Sequence, residues 1–139
     1  MMQVKKVLET CIYSHDLEAS QKFYSEILGL NLYSRSAKRH LFFHCGDAMF
    51  LIFNPAETSH PQQSVPSHGS HGPGHVAFSI PEEDLSEWRN YLEKNGVEID
   101  ADILWPEGGR SLYFRDPSNN SIELTSPSIW GIVDRTETI

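Results

Sequence analysis

The sequence has few cysteines, no long apolar run and no concentration of positive charge. Its two cysteines, Cys11 and Cys45, are too few for a disulfide framework, and both stand in apolar strand-like runs. We therefore expect them to be buried thiols in a reducing compartment, the cytoplasm. No stretch approaches the ~20 apolar residues of a membrane span. Polar residues such as Glu9 and Asp16 interrupt the N-terminal region, so it does not resemble a signal peptide.

The charge balance is acidic, and this bears on possible partners. Eleven Lys and Arg residues stand against 19 Asp and Glu, which gives a net charge of −8, and the basic residues are scattered. A nucleic acid or an anionic membrane needs a positive surface, so neither is expected as a partner. With 139 residues, of which 39% are hydrophobic, the chain can bury one ordinary core.

One order of secondary structure occurs twice along the chain. Asp16 is a predicted helix N-cap and Gly29 a predicted helix end, and Pro55 closes the first set of elements. Apolar periodicity predicts a strand, a helix and three strands in each half. The first set spans 7–14, 17–28, 30–35, 40–45 and 48–54, and the second spans 75–80, 81–96, 97–105, 111–116 and 121–127.

The predicted architecture is a single α+β domain over 1–139, made of two βαβββ modules in tandem. Module 1 is placed at 7–55 and module 2 at 75–127, with a tail at 128–139. Between them, 56–74 is rich in Ser, His, Gly, Pro and Gln and is predicted to be a flexible linker or flap. His68 and His71 in this linker gate a site, add a ligand to it or lie in a solvated loop.

The repeat is visible in single residues as well as in element order. Glu9 lies 20 residues before Gly29, and His75 lies 21 before Gly96, so both open a module. Leu51 and Glu123 each stand four residues before a proline, so both close one. This correspondence indicates an internal duplication.

Strand alternation brings three of these positions into one chemical hypothesis. Val76 and Ile122 belong to the apolar faces that should pack on helices, so His75 and Glu123 point the other way, and so does Glu9. Two carboxylates and an imidazole form an open site suited to Fe, Mn, Zn, Ni or Co. The alternative is that these are a satisfied histidine and two solvated glutamates.

Two further residues are candidates for catalysis. Arg110 follows two glycines and would clamp a carboxylate or phosphate of a substrate, or else it is a surface arginine in a turn. Tyr113 is a proton donor, a wall of the site or a core residue. Cys11 shares the predicted face of Glu9 and is read as a buried strand thiol.

Three stretches carry a family resemblance: "HDLEASQKFYSEILGLNL", "GHVAFSI" and "GGRSLYFRDPSNNSIELTSP". Over 7–127 the sequence resembles the vicinal oxygen chelate superfamily of glyoxalases, bleomycin-resistance proteins and extradiol dioxygenases. The resemblance implies mixed sheets curved around a central cleft, a divalent metal ion, a small-molecule substrate and a homodimer. It assigns the metal to Glu9, His75 and Glu123, with Leu51 in a fourth position that cannot bind metal. Many members have His at the position of Glu9.

The resemblance leaves two classes of function open. The first is a metal-dependent enzyme acting on vicinal oxygens as a lyase, isomerase, thiol transferase or dioxygenase, with Glu9 or Glu123 also moving protons. The second is a metal-free drug-binding protein of the bleomycin-resistance type. Retention of Glu9, His75 and Glu123 favours the enzyme, whereas the aromatic-rich strands suit either class.

Overall fold

The chain folds into two compact units, each built around a four-stranded mixed sheet. In this computed structural model residues 1–61 and 64–133 are described, and the units are Met1–Gly74 and His75–Ile139. The predicted α+β architecture of two βαβββ modules is confirmed.

The first unit has the strand order β1-β4-β3-β2, in which β1 and β4 are parallel and the other neighbours antiparallel. Its elements are β1 (Glu9–Tyr13), α1 (Leu17–Lys22), β2 (Asn31–Ser36), β3 (His40–Cys45), β4 (Ala48–Phe53) and α2 (Pro55–Thr58). The Asp16 carboxylate accepts a hydrogen bond from the Ala19 N–H at 3.0 Å, as its predicted capping role requires. After α1 the chain continues as a π-helical turn, Phe23–Ile27.

The second unit repeats this plan with the strand order β5-β8-β7-β6, in which β5 and β8 are parallel. Its elements are β5 (His75–Ser79), α3 (Leu85–Lys94), β6 (Ile99–Leu104), β7 (Arg110–Arg115) and β8 (Ser121–Thr125). Two 3-10 turns, Glu82–Asp84 and Pro127–Trp130, flank these elements.

One face of each sheet packs on a helix and forms the core. In the first unit, Tyr24 packs against Phe43 and Phe50 with ring centroids 6.1 and 5.1 Å apart. In the second unit, α3 contacts β6 and β7, and the fully buried apolar side chains of these elements include Leu85, Leu92, Leu112 and Phe114. We call the other face of each sheet the helix-distal face, and it carries the alternate strand residues.

The two sheets have matching registers. Glu123 of β8 pairs with Ala77 of β5 and Tyr113 of β7. Leu51 of β4 occupies the same position, because it pairs with Cys11 of β1 and Phe42 of β3. Glu9 opens β1 as His75 opens β5, so the correspondence expected from the sequence is present in the strand pairing.

Three segments differ from, or extend beyond, the sequence-based prediction. Helix α2 begins at Pro55, the last residue of the predicted first module, and extends into the predicted linker; its N-cap Asn54 accepts a hydrogen bond from the Ala56 N–H. Gln62 and Gln63 of that linker, and residues 134–139 of the predicted tail, lie outside the described residues. Within the described ranges, none of the helices has the length and apolar character that a membrane crossing requires.

Candidate metal-binding site

His75 and Glu123 meet on the helix-distal face of the second sheet. Nε2 of His75 lies 3.3 Å from Oε1 of Glu123. The His75 side chain is 51% exposed, whereas that of Glu123 is 9% exposed, so the pair joins an accessible imidazole to a buried carboxylate. Both are held by adjacent parallel strands, because His75 pairs with Ser121 and Ala77 with Glu123 in the register of β5 and β8.

The hydrogen bond on the far side of the His75 ring fixes its tautomer. Nδ1 lies 3.0 Å from the carbonyl oxygen of Ser121, and a carbonyl can only accept, so Nδ1 carries the proton. With the proton on Nδ1, the neutral tautomer of His75 directs the lone pair of Nε2 towards Oε1 of Glu123. This arrangement is the usual second-shell support of a metal-binding histidine.

The facing atoms fit a shared cation. Two acceptors, Nε2 and Oε1, stand 3.3 Å apart, and without a proton or a cation between them they would repel. Two donor atoms that each lie about 2.1 Å from one metal ion are separated by a distance of this order. A nitrogen and a carboxylate oxygen form a donor set suited to first-row divalent ions.

The second oxygen of Glu123 is held by a chain of hydrogen bonds. Ser111 Oγ donates to Oε2 at 2.6 Å, and the indole Nε1–H of Trp105 donates to Ser111 Oγ at 2.9 Å. These contacts satisfy a buried carboxylate and leave Oε1 turned to His75.

Tyr113 lies on the same face, with its ring centroid 6.4 Å from that of His75. Burial raises the pKa of the Tyr113 phenol, and the neighbouring Glu123 carboxylate raises it further. The phenol is therefore protonated at neutral pH and is a proton donor.

Glu9 lies in the other unit, exposed at the start of β1. Across residues 1–61 and 64–133, no group of three His, Cys, Asp or Glu side chains that could hold a metal ion is found. The structure thus brings together two of the three ligands expected from the sequence, and the role of Glu9 stays a prediction.

Arg110 of β7 lies on the face of the second sheet that packs on α3, which is the face opposite to Glu123. Its Nε and Nη2 donate to the two carboxylate oxygens of Asp102 at 2.7 and 2.6 Å, and its Nη1 donates to Ser86 Oγ at 2.8 Å. Asp102 also accepts from Arg89 of α3 at 2.6 Å. The bond from Arg110 lowers the pKa of Asp102 to about 2, and the Arg89 bond adds to this effect.

The helix-distal face of the first sheet has a different character. Leu51 and Phe53 are buried there, and His68 from the segment after α2 packs on Phe53 with ring centroids 4.6 Å apart.

Tyr13 Oη lies 2.7 Å from His68 Nδ1. Burial raises the pKa of Tyr13 to about 12, with a smaller contribution from its hydrogen bond to Cys11. His71 stacks on His15 with centroids 6.2 Å apart.

Sequence analysis missed Ser111 and Trp105, the residues that hold Glu123. Alternation along β7 does place Ser111 on the face of Tyr113, so that part of the signal was available. The contact of the Trp105 indole with Ser111 depends on the turn joining β6 to β7. In this turn the backbone N–H of Trp105 donates to the Gly109 carbonyl at 2.9 Å.

Comparison with known proteins agrees with the fold described above. The family model of the Glyoxalase/Bleomycin resistance protein/Dioxygenase superfamily matches residues 6–124. Metallothiol transferase FosB of Staphylococcus epidermidis is 32% identical over 127 residues, covering 88% of this chain and 82% of that protein. Glutathione transferase FosA of Serratia marcescens is 34% identical over 113 residues, covering 78% and 72%.

A solved structure gives the same result. The crystal structure of lactoylglutathione lyase from Agrobacterium tumefaciens superposes with a TM-score of 0.91 at 32% identity, and the match covers 94% of this chain and 100% of that one. Two βαβββ units, each with a four-stranded mixed sheet, are thus the fold that this chain shares with an enzyme of known structure. The chain belongs to the Glyoxalase/Bleomycin resistance protein/Dioxygenase superfamily and is an enzyme of that superfamily.

Proposed function

We propose that the protein is a divalent-metal-dependent enzyme that binds a small substrate through two neighbouring oxygens and uses a low-molecular-weight thiol as its second substrate. The observation that carries the metal part is the pairing of His75 Nε2 with Glu123 Oε1, with the proton of His75 fixed on Nδ1. In this arrangement both facing atoms can offer a lone pair to a metal ion.

Thiol chemistry is supported by what three relatives have in common. The names metallothiol transferase, glutathione transferase and lactoylglutathione lyase each specify a thiol or its adduct, and each of these proteins is at least 32% identical to this chain. Within a superfamily that supports several reactions on one scaffold, this shared feature favours transferase or lyase chemistry over ring cleavage.

The proposed ligands are His75, Glu123 and, from the first unit, Glu9. A divalent ion bound by them supplies a Lewis acid that polarises a substrate oxygen. Ser111 holds the Glu123 carboxylate in place, and Tyr113 keeps a proton on Oη beside it, ready to be donated to an oxygen that gains negative charge. Glu9 serves as a ligand or as a base. Arg110 is given a structural role, because Asp102 and Ser86 engage its guanidinium.

The direct test is the metal content of protein purified without a polyhistidine tag, measured by mass spectrometry. We expect one equivalent in the wild type and its loss in His75→Ala and Glu123→Gln. His44→Ala is the matched control, because His44 is an exposed histidine of β3. If the wild type and His75→Ala carry equally little metal, the enzyme has another mechanism, and drug binding to the metal-free protein becomes the function to test.

The reaction itself requires a substrate screen on the metal-loaded protein. Methylglyoxal with glutathione, fosfomycin with glutathione or bacillithiol, and catechol as a substrate that needs no thiol cover the open classes. We expect turnover only with a thiol present. Turnover of catechol alone would contradict the thiol part of the proposal and leave the metal part standing.

We also propose that the protein is a homodimer in the cytoplasm. Cys11 and Cys45 are free thiols, half-buried rather than fully buried as the sequence predicted, and unpaired thiols are consistent with a reducing compartment. If Glu9 of one copy completes the site of another, mixing Glu9→Ala with His75→Ala protein restores part of the metal binding that each lacks alone. Sedimentation velocity on the same samples reports the oligomeric state.

A further inference from the structure

A cleft of about 350 Å³ lies in the second unit, next to the hydrogen-bond chain that reaches Glu123. It opens between the turn joining β6 to β7 and the 3-10 turn that follows β8. We call it the indole cleft, after the two tryptophans among the residues that line it: Trp105, Pro106, Glu107, Gly108, Ile129 and Trp130.

The walls of the indole cleft are held together by close packing at Gly109. This residue has φ +94°, and a Cβ added to it would lie 2.5 Å from Cγ2 of Ile129. Only glycine therefore allows the β6–β7 turn to approach the 3-10 turn this closely. The Gly108 N–H donates to the Trp105 carbonyl at 3.0 Å and further fixes the turn that carries the Trp105 indole.

The chemistry of the lining indicates what the indole cleft would bind. Two indole rings with a proline and an isoleucine favour a flat apolar group, and the volume is that of a small-molecule site. The charged residue of the lining is Glu107, which disfavours an anion and favours a neutral or cationic group.

One wall of the indole cleft is also the start of the chain that holds Glu123. An indole N–H can only donate and a carboxylate can only accept, so the Ser111 hydroxyl between them has one possible orientation. Trp105 cannot rotate without breaking its 2.9 Å bond to Ser111, and Ser111 then loses the partner that orients its 2.6 Å bond to Oε2 of Glu123.

We propose that the indole cleft binds a flat, uncharged or cationic apolar group of a substrate, and that Trp105 and Ser111 couple its occupancy to the orientation of Glu123. The cleft would select the substrate by this group, while Trp105 and Ser111 act as positioning residues. The coupling to metal rests on the proposed function, whereas binding in the cleft does not.

Binding is tested with 1-naphthol as the probe and ligand-observed NMR as the measurement. Trp130→Ala removes one wall without touching the chain to Glu123, and we expect it to weaken naphthol binding by about tenfold. Trp88→Ala is the matched control, because Trp88 lies on α3 and is absent from the lining of the cleft. 1-Naphthoate, the anionic counterpart of the probe, should bind more weakly than naphthol.

Coupling is tested with Co²⁺, whose visible spectrum reports its ligands. We expect naphthol to change the spectrum of the Co²⁺-loaded wild type but not that of Trp105→Phe, which keeps an aromatic wall and removes the N–H. Ser111→Ala should weaken Co²⁺ binding by about tenfold or more, as loss of a second-shell partner does. Ser111→Ala also removes the acceptor of the Trp105 indole N–H, so it should change the affinity for naphthol even in the absence of metal.

The outcomes separate this proposal from the proposed function. The proposal that the indole cleft binds the probe is wrong if naphthol binds the wild type and Trp130→Ala equally well, or does not bind the wild type. This conclusion does not depend on the metal content of the protein. An unchanged Co²⁺ spectrum on naphthol binding, or the same change in Trp105→Phe, overturns the coupling. If His75 proves not to bind metal, the proposed function fails, and the naphthol affinity of Ser111→Ala alone decides the coupling.

Discussion

The two sheets of this protein share one backbone plan and carry opposite chemistry on their helix-distal faces. Where the second sheet has the buried carboxylate of Glu123, the first has Leu51 at the same position of the register. Where Ser111 holds that carboxylate, the first sheet has His40, which stacks on Phe42 with ring centroids 3.9 Å apart. One face is polar and hydrogen-bonded, and the other is aromatic.

This difference shows that the fold and the chemistry are determined by alternate residues of the same strands. The core residues of β4 and β8, such as Ile52 and Ile122, are equally buried in the two units. The positions between them point away from the helix and can change without altering the core. A duplicated unit can therefore keep its architecture while only one copy keeps a buried acid.

The largest expected effect tests whether the two units contribute unequally to metal binding. His75→Ala should lower the affinity for Zn²⁺ or Co²⁺ by more than about 100-fold, because it removes a proposed ligand rather than a supporting group. Glu9→Ala, the equivalent change in the first unit, should cost less, since that carboxylate is exposed. Isothermal titration of both variants decides this, and equal losses would make the two units equivalent as ligand donors.

The next effect comes from placing the acid of the second sheet in the first. Leu51→Glu puts a carboxylate at a buried position beside Phe42 and Cys11, and should cost about 3–5 kcal/mol of unfolding free energy at neutral pH. Burial would raise the pKa of this new carboxyl, so the loss should shrink as pH falls and the acid is protonated. Urea unfolding at pH 7.5 and 4.5 measures it.

Leu51→Gln is the control for that experiment, because its amide has a similar size and does not titrate. Its destabilisation should be the same at both pH values. If Leu51→Glu were no worse than Leu51→Gln at pH 7.5, the first sheet would tolerate a buried acid, and the contrast between the two faces would be lost.

A smaller effect concerns the charges that fasten α3 to the second sheet. The pKa of Asp102 is about 2, below its ordinary value of 3.8, so its stabilising contribution is complete above about pH 4 and is lost as pH falls towards 2. Asp102→Asn should therefore destabilise the protein by about 1–2 kcal/mol at pH 7, a figure that allows for screening by solvent. The difference from wild type should vanish near pH 2.

The matched control lies in the first unit, where Asp47 pairs with Lys6 at the surface at 2.8 Å. Asp47→Asn should leave the denaturation midpoint unchanged. A loss equal to that of Asp102→Asn would indicate that exposed and partly buried pairs matter alike in this protein.

The smallest effect is expected where the segment after α2 contacts the first sheet. The backbone N–H of His68 donates to the Thr58 carbonyl at 2.9 Å, and the His68 ring contacts Tyr13 and Phe53. His68→Ala should raise amide hydrogen exchange of that N–H several-fold with little change in global stability. Ser67→Ala changes an exposed neighbouring residue and should leave the exchange rate of that N–H unchanged. Equal exchange rates in the two variants would show that the ring contacts of His68 do not hold the segment.

The sequence predicts best what depends on neighbouring residues along the chain. Alternation in β5 and β8 places His75 and Glu123 on one face, and local capping identifies Asp16. It predicts poorly what depends on pairing between strands. That Asp102 of β6 would engage Arg110 follows from the register of β6 with β7, which includes an irregularity between Ile99 and Ala101. Helix α2 was not predicted, because the Ser, Gly and Pro residues that follow it indicate a linker.

The parallel pairing of β5 with β8 also affects the order of events during folding. His75 and Ser121, which share a hydrogen bond, are separated by 46 positions, and contacts between distant positions form slowly. The strand carrying His75 is made before the strand carrying Glu123, and the two proposed ligands become neighbours only when the second unit closes. If they bind metal as proposed, a newly made chain acquires its affinity for metal only after the second unit has folded.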